Sequence, residues 1–160
     1  MKRICLVVAD ATRARILTYQ RLQEPDGPHE QLREHADLVD PARRQRPTDL
    51  FSDGSGGNHV GPRANALDDH REGHLLEMDT VFAKEIAAAT AKLLAEHGFQ
   101  QLVVLASSRM IGPLRTTLEP LKRTVEITDF QRDYTKLPIA ELRERLVDLA
   151  VLPPRISAPM

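Results

Sequence analysis

Two uninterrupted apolar runs, Ile4-Cys5-Leu6-Val7-Val8-Ala9 and Leu102-Val103-Val104-Leu105-Ala106, set the terms for any fold of this chain. Each is far too short to cross a bilayer. Each carries β-branched residues, so each reads as a strand. Neither alternates with polar residues, which marks a strand buried within a layered α/β sheet. Around them the pattern alternates between strand and helix. Ala14, Ile16 and Thr18 share one face of a second strand, which forms a hairpin with the first across Asp10-Ala11-Thr12. Residues 24–28 read as a loop and residues 31–39 as a third strand. Leu75, Met78, Phe82, Ile86, Ala89 and Leu93 recur at helical spacing and open a helix at Leu75. Gly98 is placed to end it in the left-handed conformation. Residues 107–111 read as a loop. Gly112 and Pro113 then stand as N-cap and first residue of a short helix to Leu121. Val125-Glu126-Ile127-Thr128 reads as a strand, and Pro138 starts a last helix on Leu142, Leu146 and Leu149.

The expected fold is therefore α/β, a mixed sheet of about five strands flanked by helices, an N-terminal hairpin joined to parallel strands. A chain of 160 residues suits a single domain over residues 1–152 with a loose tail at 153–160. One polar stretch, residues 40–74, stands apart. Its prolines, glycines and few large apolar residues predict a long loop, and loops of that length in a compact domain carry function or disorder.

Composition excludes several functions. Aromatic residues are only 4 % of the chain, too few for a stacking platform for single-stranded nucleic acid. The net charge of −1 supplies no general attraction to nucleic acid or membrane, so such binding needs a local patch. A lone cysteine, Cys5, and an apolar N-terminal run cut short by Asp10 predict a cytoplasmic protein with no membrane segment. No phosphate-binding Gly-x-x-x-x-Gly-Lys-Ser/Thr sequence or nucleophile elbow is present, and no cofactor is expected.

Four constellations remain. Arg43, Arg44 and Arg46, with Arg63 and Arg71, can meet RNA phosphates; the plainer reading is a solvated loop balanced by its aspartates. Gly56-Gly57-Asn58 can form a nest of backbone N–H groups, or simply a flexible connector. His70 and His74, four apart with His59 upstream, suit a divalent metal if helical. Ser107, Ser108, Arg109 and Gly112 follow a central strand, where open α/β sheets bind ligands and where a helix N-terminus favours anions; small polar residues also serve there as ordinary caps.

Three segments together resemble the bacterial host attachment protein family: Leu6 to Ile16 with its acidic turn, Leu102 to Arg115 with Ser107-Ser108-Arg109 and Gly112, and Asp133-Tyr134-Thr135-Lys136-Leu137-Pro138, where Tyr134 replaces the usual Leu. The resemblance implies the fold of the middle domain of archaeal and eukaryotic peptide chain release factors and of Pelota. In those factors a Gly-Gly-Gln loop precedes a long helix and enters the peptidyl-transferase centre. Gly56-Gly57-Asn58 matches two of the three residues, and its shorter amide points to binding rather than peptide release. The resemblance thus implies an RNA or ribosome partner engaged through residues 43–74. The alternatives are a small hydrolase of esters or phosphates using Ser107, Ser108 and Arg109, and a protein-interaction module in an attachment pathway.

Overall fold

The computed structural model describes residues 3–40 and 62–154, with side chains from Arg71 onward in the second stretch. The described chain runs β1 (Arg3–Ala9), β2 (Arg13–Glu24), β3 (Gly27–Val39), α1 (Pro62–Glu96), β4 (Gln101–Ala106), α2 (Ser108–Leu118), a 3₁₀ turn (Glu119–Arg123), β5 (Glu126–Gln131) and α3 (Ile139–Asp148). The five strands form one sheet in the order β3-β2-β1-β4-β5. β1 pairs antiparallel with β2, and β2 with β3, whereas β1, β4 and β5 run parallel. The expected α/β class and mixed sheet are present.

The uninterrupted apolar runs now have their reason. Cys5, Val7 and Ala9 of β1 point into a core with Phe82 and Ile86 of α1 and Met110 and Leu114 of α2. Ile4, Leu6 and Val8 point to the other face, against Leu142 and Leu146 of α3. Val151 and Leu152 close that second core from a turn in which Ala150 takes φ 60°. A strand covered on both faces has no position where water would select a polar residue.

Several boundaries differ from expectation. The β2–β3 connection is a tight turn at Pro25 and Asp26, with Gly27 at φ +119°, so β3 starts at Gly27 instead of Gln31. Helix α1 starts at Pro62, which makes residues 62–74 helix and not loop. Gly98 is not left-handed, since Gly27 is the glycine with positive φ among the described residues. Helix α2 begins at Ser108, with Ser107 at the position before it, so residues 108–111 are helix, and Gly112 and Pro113 lie inside it. Residues 41–61 and 155–160 lie outside the described residues, and with them the tail expectation and Arg43, Arg44, Arg46, Gly56, Gly57 and Asn58. No helix of the described residues is long and apolar enough to cross a membrane.

Candidate functional site

The parallel strands β1, β4 and β5 end at one edge of the sheet, and three polar connections meet there. Asp10 follows β1. Its Oδ1 accepts the Thr12 amide at 2.8 Å, the Thr12 hydroxyl at 2.9 Å and the Arg13 amide at 2.7 Å. Its Oδ2 faces the Thr135 hydroxyl at 2.9 Å, from the connection after β5. That hydroxyl also lies 2.8 Å from Oδ1 of Asp133, and its single proton serves the two carboxylates in turn. Burial pushes the Asp10 carboxyl up, but the hydrogen bonds from Thr12, Thr135 and Arg13 outweigh it and hold the group below the usual aspartate value. Asp10 is a staple joining the ends of β1 and β5.

Ser107 follows β4. Its amide donates to the Ala9 carbonyl at 3.0 Å, and its carbonyl accepts from Met110 and Ile111 as α2 begins. Its Oγ is buried with no hydrogen-bond partner among the described residues, and it makes no side-chain cap. Ser108 is exposed on the first turn. Arg109 does not face an open anion cradle. Its Nε donates to Oδ2 of Asp79 at 2.7 Å and its Nη2 to Oε1 of Glu72 at 3.2 Å. Asp79 is fully buried, so Arg109 is the counter-ion that locks α2 to α1. Gly112 is a mid-helix residue whose α-carbon faces open space, not a backbone cradle. Cys5 is buried, and that burial pushes its thiol up to about 12, which keeps it protonated at neutral pH.

The other expected groups sit on α1. His70 and His74 are four apart on a continuous helix, and Arg63 lies in its first turn, although the side chains of Arg63 and His70 are outside the described residues. Among the described residues no three His, Cys, Asp or Glu side chains gather as a metal set.

One cluster escaped the reading of the sequence. At the opposite edge, where β1 and β4 begin, Arg3, Arg33, His35 and His97 line a small cavity. The available signal was Arg33-x-His35 on one strand, two residues apart and so on one face. Nothing local linked them to Arg3 or to His97, which come from distant parts of the chain.

Curated protein sequences provide no match. Among solved structures, the type II variant of the Ppx/GppA phosphatase of Aquifex aeolicus is similar over 81 % of this chain at 15 % identity. The TM-score is 0.32 and the chain spans only 36 % of the length of that protein, a likeness too slight to carry fold or function across. The sequence resemblance to one family does hold: residues 5–146 match the family model described as protein required for attachment to host cells, and the chain belongs to that family.

Proposed function

We propose that this protein binds RNA or the ribosome through residues 43–74, with the sheet as a rigid mount. The observation that carries the reading is where the long helix starts. α1 begins at Pro62, four residues after Asn58, so Gly56-Gly57-Asn58 directly precedes a helix of 35 residues. That is the arrangement the resemblance to release factors leads one to look for. The flanks are anchored. The Asp40 amide donates to the Thr12 carbonyl at 2.9 Å on one side, and Arg109 holds Glu72 and Asp79 on the other. Arg43, Arg44 and Arg46 supply charge for phosphates, and Asn58 supplies an amide for a base or backbone group. The hydrolase alternative needs Arg109 for its anion, and that guanidinium is engaged by two carboxylates.

Sedimentation with ribosomes on a density gradient tests the proposal at low and at physiological salt. The intact chain should move into the ribosomal fractions. Replacing Arg43, Arg44 and Arg46 together by Ala should return it to the top, and more completely as salt rises. Should the intact chain stay at the top under both conditions, the proposal is wrong. Capture of a protein partner dependent on the same segment would then favour the interaction-module alternative.

A further inference from the structure

The cavity at the amino edge of the sheet has a volume of about 110 Å³. It lies on the face covered by α1, just past that helix's end. Strand register builds it. Gln20 of β2 sits beside Arg3 of β1 and beside Gln31 of β3, while Thr18 sits beside Cys5 and Arg33. The register of β3 slips between the partners of Ile16 and Leu17, and His35 falls at the slip. His35 Nε2 meets the Thr18 hydroxyl at 2.6 Å. The His35 and His97 rings stand 6.1 Å apart, and Arg3 lies over the Phe99 ring at 5.2 Å.

Among the described residues, the cavity lining holds two arginines and two histidines and no carboxylate. In a chain of net charge −1 this is a local concentration of positive charge that folding alone does not favour. Elsewhere Arg13, Arg15, Arg109, Arg115 and Arg143 each hold a carboxylate. Here Arg3 and Arg33 make no ion pair among the described residues. Arg3 Nε is buried without a hydrogen-bond partner among them. The neighbouring Glu34 belongs to the other face, where Arg15 holds it at 2.6 Å. Burial, then Arg33 and His97, hold His35 below the usual histidine value. Among the described residues that line the cavity with it, β2 contributes the neutral Thr18 and Gln20 and β1 the cationic Arg3. An anion would reverse the sign of that field. The volume is well under that of a pocket for a drug-sized ligand, so the occupant is small.

We propose that this cavity binds a tetrahedral oxyanion of the phosphate class, with Arg3 and Arg33 supplying charge and His35, His97 and Thr18 completing the hydrogen bonds. The proposal is independent of the RNA reading, because the site shares no residue with segment 43–74.

Histidine ring proton signals of the intact chain give the test. Sulfate is the primary probe, since its charge is constant from pH 6 to pH 8; chloride at equal ionic strength is the control. Sulfate should shift the His35 and His97 signals saturably, bind several-fold tighter at pH 6 than at pH 8, and raise the pH at which His35 titrates. Arg33→Gln, an exposed change, should weaken binding by about tenfold while leaving the unfolding midpoint without sulfate close to that of the parent. Inorganic phosphate and a short oligonucleotide with and without a 5′-phosphate separate a free ion from a phosphomonoester end. Signals that move no more with sulfate than with chloride, or equal sulfate affinity in Arg33→Gln, overturn the proposal.

Discussion

At the scale of single residues, two positions carry more than their size suggests. Asp10 accepts three hydrogen bonds at one oxygen and faces Thr135 with the other. Hydrogen bonds to a charged group contribute about 1.5–3 kcal/mol each before strain and exposure are counted. Asp10→Ala should therefore cost about 2–3 kcal/mol in urea unfolding at pH 7. The carboxyl is held below its ordinary value of 3.8, so its contribution is present in full above that value. The contribution is lost as pH falls through the lower folded value. The gap between the parent and Asp10→Ala should close in that acid window, and a gap constant down to complete acid unfolding would contradict the assignment. Ala150 is the second position. The Val151 amide reaches back to the Leu146 carbonyl at 2.9 Å, and Ala150 between them sits at φ 60°, where glycine is the usual residue. A left-handed alanine costs roughly 1–2 kcal/mol, part of which glycine's greater unfolded entropy gives back. Ala150→Gly should raise stability by about 0.5–1 kcal/mol, read as a higher urea midpoint with an unchanged slope.

Elements are joined by paired charges, and Arg109 is the clearest case. It spans from the first turn of α2 to Asp79 and Glu72 of α1. Arg109→Met should cost about 2–3 kcal/mol, because it takes a charge-assisted bond from a fully buried carboxylate. Replacing Asp79 by Leu in the same chain should recover most of that loss, as it does when both members of a buried pair give way to apolar groups. A double variant no more stable than Arg109→Met would show that the pair is not the clamp. The same elements show what the sequence could disclose. The strands of β1 and β4 were legible because both faces are buried, and the body of α1 because Met78, Phe82 and Ile86 face a core. The start of α1 was not. Side chains 71–77 are exposed or half-buried, so no apolar stripe marks them, and periodicity reports burial and not helix as such. Gly112-Pro113 misled in a different way. Proline favours the first helical turn, and here it stands sixth in the helix, where it leaves the Arg109 carbonyl without its usual helical partner. The Arg109 ion pair was beyond reach because Asp79 lies thirty residues away and on a different element.

At the scale of the whole molecule, the two edges of the sheet carry different polar clusters. The parallel strands carry Ser107 and Asp10 at their carboxyl ends, whereas the basic cavity opens where β1 and β4 start. Six residues of strand separate the two edges, about 20 Å at the usual rise. A ligand that binds only the folded state stabilises it by RT ln(1 + [L]/Kd), about 2.7 kcal/mol at a hundredfold excess over Kd. Sulfate also stabilises proteins generally by exclusion from their surfaces, so the rise in midpoint alone decides nothing. The comparison that decides is between variants. Arg33→Gln removes one of four positive or protonatable groups from the cavity, so without sulfate it should be as stable as the parent or a few tenths of a kcal/mol more so. With sulfate it should gain only the general increment, and the order of stability should invert. Arg109→Met, at the far edge, should lose stability in both conditions and keep the full sulfate increment, because sites this far apart with no shared partner add independently to within about 0.5 kcal/mol. If Arg109→Met instead loses the sulfate increment while Arg33→Gln keeps it, the oxyanion binds at the carboxyl edge beside Ser107 and the amino-edge cavity is only a solvated cluster.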